Sequence, residues 1–140
     1  MHKALNYLGI ARMSGNVEIG EDNAAALVKA GKARLLLVAK DTSDAAKQRA
    51  AGYVFGLHTP LAELPFTKAE ISQTVGKPGC SMAAIRDLGL AVSFADALSA
   101  EYGEPYTALA GALTAKQEKM KLRKQIKGPK KRETGGIANE

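Results

Sequence analysis

Residues 33–39, ARLLLVA, constrain the fold more than any other stretch of the chain. They are a near-continuous apolar run of strand length. A strand that offers no polar side to water belongs in the middle of a sheet covered on both faces. The segments around it supply the covers. Residues 2–13 place Ala4, Leu5, Leu8 and Ile10 on one helical stripe, and Ser14-Gly15 stops it. Residues 16–19 suit a short strand. Glu21-Asp22-Asn23 opens a second helix, its acidic start matching the positive end of the helix dipole, and Gly31 is a natural C-terminal cap.

The alternation continues to the C-terminal segment. Asp41-Thr42-Ser43 caps a third helix over 44–56, and 61–64 is a short strand. Thr67-Lys68-Ala69-Glu70 has the form of a capping box and opens a fourth helix running to Val75. Gly76 to Gly79 is a loop, 80–85 a strand and 88–101 a helix. A last helical pattern follows Gly103-Glu104-Pro105 and is expected to end at Gly128-Pro129, with disorder beyond. The expected fold is α/β: a three-layer α/β/α sandwich around a small mixed sheet, with a basic C-terminal helix or tail. The expected division is 1–104 as the folded domain and 105–140 as the C-terminal helix and basic, partly disordered tail.

Charge is distributed unevenly along the chain. Residues 1–115 hold 11 Lys+Arg and 11 Asp+Glu, so this body is neutral. Residues 116–132 hold 9 basic residues against Glu118, a local +8, and Glu133 and Glu140 bring the total to the +6 of the whole chain. Such an arm suits a polyanion, nucleic acid first. Aromatics make up only 5% of the chain and Trp is absent, which argues against a base-stacking sheet for single-stranded RNA. The single cysteine, Cys80, excludes an intrachain disulfide and a cysteine-based zinc site. Gly15 to Gly20 has G-x4-G spacing, but Glu21-Asp22 follows where a phosphate-binding loop needs Lys-Ser/Thr. With only His2 and His58 to activate it, Cys80 reads as a packing residue rather than a nucleophile. No cofactor, metal or catalytic motif is expected. The aliphatic run is too short to span a bilayer and no secretory signal opens the chain, so the expected location is cytoplasmic.

Two stretches together, ARMSGNVEIGEDNAAALVKAGKARLLLVAKDTS (residues 11–43) and TKAEISQTVGKPGCSMAAIRDLGLA (67–91), resemble the seven-A-e/thirty-e superfamily of ribosomal proteins. That superfamily binds kink-turn RNA, and the chain is most similar to its small bacterial YlxQ-type branch. The resemblance spans about residues 2–100. It rests on Gly20 and Gly31 eleven residues apart, on LLLVAKD, and on VGKPGC as the second RNA-facing loop. The family's reader pattern is Gly-x-Asn-Glu-x-x-Lys. Here Asp22 stands where Asn is usual, Asn23 where Glu is usual, and Ala26 where Lys is usual. Asp22 accepts hydrogen bonds but cannot donate, so the two-way contact that asparagine makes to adenine is not available to it.

The resemblance implies RNA contacts from Gly20, Glu21, Asp22 and Asn23, from Lys77, Pro78 and Gly79, and from Arg12 and Lys40 at the ends of elements entering or leaving these loops. Lys32 and Arg34 also flank the reader segment in sequence. Within the basic arm the candidates are Lys119, Lys121, Arg123, Lys124 and Lys127, which would grip phosphate by counterion release. The expected function is a non-catalytic protein that recognises folded, kink-turn-like RNA, with ribosomal RNA or the ribosome as partner, acting as a monomer away from membranes. The alternative is a protein-binding regulatory module on the same fold, docking through Met120, Leu122 and Ile126 of the tail.

Overall fold

The computed structural model describes the backbone of residues 2–131 and side chains through Lys124. Ten elements follow one another: α1 (Lys3–Met13), β1 (Val17–Ile19), α2 (Glu21–Lys29), β2 (Leu35–Val38), α3 (Asp44–Val54), β3 (Leu61–Glu63), α4 (Lys68–Val75), β4 (Met82–Ile85), α5 (Leu88–Tyr102) and α6 (Tyr106–Lys131). The strands form one sheet in the order β1-β4-β2-β3. β4 runs antiparallel to both β1 and β2, whereas β2 and β3 are parallel. The parallel pair is reached through α3, the crossover that parallel neighbours require.

The apolar run of residues 33–39 is central, as its composition demands. β2 and β4 are buried at every position, while the edge strands β1 and β3 are not. Successive strand side chains alternate between faces. Leu35, Leu37, Ala83 and Ile85 therefore join the larger core with α1, α4, α5 and α6. Leu36, Val38, Met82 and Ala84 join the smaller core beneath α2 and α3. In that smaller layer Ala24 and Ala50 let the helices lie close to the sheet. Each fully buried leucine contributes roughly 1.5–3 kcal/mol.

The helix ends follow the sequence signals. Thr67 and Glu70 form the reciprocal capping box of α4, and Ser43 caps α3 by accepting the Ala46 N–H. Asp87 does the same for α5 through the Leu90 N–H at 2.8 Å.

α6 determines where the basic segment goes. Its first turns are part of the body, with Tyr106, Ala110 and Leu113 buried in the larger core. It runs antiparallel to α5: the Ser99 and Thr107 hydroxyls are 2.7 Å apart at one end, and Gly89 faces Gln117 at the other. α5 begins near Gln117's level and the body reaches Lys124, so the helical backbone of residues 125–131 projects roughly 10 Å further at 1.5 Å per residue. The helical backbone runs two residues past Pro129 instead of stopping at Gly128-Pro129. Proline at that position lacks the N–H that would reach the Gln125 carbonyl, so the helix loses one backbone hydrogen bond there. The side chain of Lys127 and the tail after Lys131, where disorder is expected, lie outside the described residues.

Candidate nucleic-acid interface

One end of the sheet gathers most of the loop residues singled out above. β1 is antiparallel to β4, so the residue leaving β1 lies beside the residues entering β4. The Gly20 N–H donates to the Met82 carbonyl at 2.9 Å. This bond holds the start of α2 against the loop that carries Lys77, Pro78 and Gly79. β2 exits at the same end. Ala39 N–H and the Thr42 hydroxyl both donate to the Ser81 carbonyl, at 2.9 and 3.2 Å, which brings Lys40 to this end as well. Arg12 joins through its Nε, which donates to the Val75 carbonyl at 3.2 Å.

Backbone conformation explains why glycine occupies position 20. Its φ of 97° and ψ of 155° lie in a region essentially restricted to glycine. From there the chain turns directly from strand into helix, and no side chain caps α2. The first N–H groups of α2 thus form an uncapped positive end, suited to an oxyanion such as phosphate. Lys77, Pro78 and Gly79 are exposed beside it. Gly79, at φ 72°, turns the loop so that the next residue, Cys80, is buried. The Cys80 N–H donates to Ser72 Oγ at 2.8 Å, and burial raises its thiol above the usual cysteine range. A thiol in that environment stays protonated and unreactive.

The reader residues divide by role. Glu21 turns to α3, where its carboxylate accepts from Arg49 Nε at 2.6 Å and Arg49 Nη2 at 2.9 Å, and from the Tyr53 hydroxyl at 2.6 Å. Hydrogen bonds from Arg49 and Tyr53 pull its pKa down from 4.5 to about 2. This clamp fixes the first turn of α2 against α3, so Glu21 is oriented inward. Asp22 is exposed. Asn23 is exposed too, and one N–H of its amide donates to the Ile19 carbonyl at 3.0 Å. That bond orients the amide, which still carries a second N–H and a carbonyl oxygen. Ala26, where the family has lysine, presents an exposed methyl group.

The arm lies elsewhere. Because α6 runs back along α5, Lys121 and Lys124 lie with Arg34 and Arg86 at the opposite end of the sheet. Arg34 immediately precedes β2 and Lys40 follows it, so the two are separated by the strand's length, roughly 20 Å at 3.3 Å per residue. Arg34 flanks the reader segment in sequence but not in space. Lys119 and Arg123 are exposed on the same part of α6. Met120, offered above as a docking residue for a partner, packs against the chain's own core, whereas Leu122 is 57% exposed. The side chain of Ile126 lies outside the described residues. The Arg49–Glu21–Tyr53 clamp and the ion pair of Arg86 with Glu18 were not anticipated. Arg49 is 28 residues from Glu21, and no local pattern links them.

Among the described residues no helix is long and apolar enough to cross a membrane. No protein-family model matches the chain. It is similar to the RNA-binding protein YlxQ of Enterococcus faecium, with 36% identity over 76 residues, covering 54% of this chain and 73% of that protein. Among solved structures it resembles a Bacillus halodurans protein of unknown function, with a TM-score of 0.66 and 18% identity, covering 71% of this chain and 99% of that one. It also resembles the 15.5 kD RNA-binding protein of Giardia lamblia, with a TM-score of 0.56 and 18% identity, covering 69% of this chain and 82% of that one. At that identity the two structures speak to the fold alone, and the fold is the mixed four-stranded sandwich described above. The sequence relationship, on that shared architecture, places the chain in the YlxQ-like branch of the seven-A-e/thirty-e superfamily.

Proposed function

We propose that this chain is a non-catalytic RNA-binding protein that recognises a folded, kink-turn-like RNA through the end of the sheet formed by Gly20–Asn23 and Lys77–Gly79. The observation that carries the reading is the Gly20–Met82 hydrogen bond, which sets an uncapped helix start beside an exposed Lys-Pro-Gly loop. Phosphate would meet the first N–H groups of α2, with Lys77, Lys40 and Arg12 supplying positive charge around it. Asn23, already oriented by Ile19, would contact a base edge. Glu21 would act through the position of α2 and not by touching RNA. Ribosomal RNA, free or within the ribosome, is the proposed target, and kinship with a protein named as RNA-binding supports the RNA reading.

The test is a titration of the protein against a kink-turn RNA and a straight duplex of equal length. Asn23→Ala should weaken the kink-turn complex by roughly 1–3 kcal/mol, the worth of a good base contact, and leave the duplex complex alone. Equal affinity of the native protein for both RNAs would defeat the reading. The exposed methyl of Ala26 favours one alternative, a protein-binding module that has lost RNA reading. Partners that survive ribonuclease treatment in a pull-down would support that alternative.

A further inference from the structure

A groove of about 290 Å³ lies at the end of the sheet opposite the loops, and its walls include Arg34, Arg86, Asp87, Gln117, Lys121 and Lys124. Three separate parts of the fold converge there: the entry to β2, the exit from β4 with the first turn of α5, and the basic part of α6. Four of these side chains are cationic and one is a carboxylate. That carboxylate, Asp87, is engaged in capping α5. Two further acids stand nearby: Glu18 holds Arg86 at 2.7 Å, and Glu118 approaches Lys121 at only 4.0 Å. Arg34 also borders a second groove with Lys29 and Lys116. Burial and the neighbouring Arg34 charge lower Lys116 from the ordinary lysine range. Like charges gathered this closely repel one another, and a polyanion relieves that repulsion.

We propose that this groove is a second RNA site, which takes the phosphate backbone of a helical segment at the opposite end of the sheet from the reading loops. The inference rests on the reading of the chain as an RNA-binding protein and adds a separate surface to it. The lining points to duplex rather than single-stranded RNA. It holds no aromatic side chain on which unpaired bases could stack, so only charge and shape are left to recognise. Gln117 adds a neutral hydrogen-bonding group to the wall. The roughly 20 Å between Arg34 and Lys40 separates the two surfaces. An RNA engaging both must therefore run along the protein or offer two helices.

The test uses the full chain and two probes, a plain RNA duplex without loops and a kink-turn RNA, titrated across a salt series. Replacing Arg34, Lys121 and Lys124 together (Arg34→Ala, Lys121→Ala, Lys124→Ala) should make the slope of log K against log salt shallower by about 2.7 on the plain duplex, at about 0.9 for each phosphate no longer neutralised. A second variant, Lys121→Glu with Lys124→Glu, changes only exposed positions of α6 and should weaken duplex binding further. Lys3→Ala, an exposed cation on α1 outside both surfaces, controls for simple loss of charge and should leave the slope unchanged. An unaltered slope in both groove variants overturns the proposal. So does displacement of the duplex by inorganic phosphate at equal phosphate concentration, which would mark a small-anion pocket. Failure of the reading loops looks different: the native protein then binds kink-turn and duplex alike, while the groove variants still weaken both.

Discussion

Replacing Glu21 by glutamine removes the charge that ties α2 to α3, and the geometry sets the size of the loss. The carboxylate accepts two bonds from Arg49 and one from Tyr53, all between 2.6 and 2.9 Å. The Arg49 side chain is 53% exposed, so water screens the ion pair and leaves it roughly 0.2–1 kcal/mol. The Tyr53 hydroxyl adds a third bond to the same carboxylate, also screened by water. A glutamine oxygen keeps part of this, so Glu21→Gln should cost up to about 1 kcal/mol near neutral pH. The pH dependence is the sharper signature. The folded pKa of Glu21 is depressed from 4.5 to about 2. Its contribution is therefore complete above about 4.5, shrinks as the pH falls, and disappears as the pH passes through about 2. Urea unfolding followed by circular dichroism at several pH values should show native and variant curves separated near neutrality and converging in acid. A gap that stays constant down to about pH 2.5, or no gap near pH 7, would refute the clamp.

Gly20→Ala should lower stability by roughly 1–3 kcal/mol, seen as a reduced thermal midpoint, because φ 97° strains any residue with a Cβ. The space around position 20 is open, so an unchanged midpoint would mean that the backbone shifts without cost. Cys80 should react with a thiol reagent far more slowly in the native protein than in urea, since its thiol is buried and its pKa raised. Equal rates in both conditions would show that the loop opens freely. Removing residues 125–140 deletes Lys127, Lys130, Lys131 and Arg132 yet spares Met120, which packs on the core. The salt slope of RNA binding should become shallower by up to about 3.6, at about 0.9 per neutralised phosphate on a duplex, and an unchanged slope would show that these residues do not reach phosphate.

The sequence was most informative where one local rule decides the outcome. The uninterrupted burial of β2 follows from residues 33–39 alone, and the Thr67–Glu70 capping box could be read directly from four residues. The turn at Gly20 and the loop at Lys77–Gly79 were legible as family features, and antiparallel pairing of β1 with β4 explains why they meet. The Glu21–Arg49–Tyr53 clamp was not legible, because α2 and α3 must first dock before these groups approach. The position of the basic arm was hidden for a related reason. Its charge is plain in the sequence, but only the antiparallel packing of α6 on α5 carries it to Arg34 and away from the reading loops. Proline at 129 suggested a stop, and the helical backbone nonetheless runs two residues past it.

Ultraviolet crosslinking of the intact protein to RNA in cells, followed by mass spectrometry of the nucleotide-bearing peptides, tests the central claim most directly. The account predicts adducts on the peptides that contain Asn23 and Lys77, with the attached RNA enriched in ribosomal sequences folded as kink-turns. Adducts confined to α6, with none on either reading loop, would contradict it.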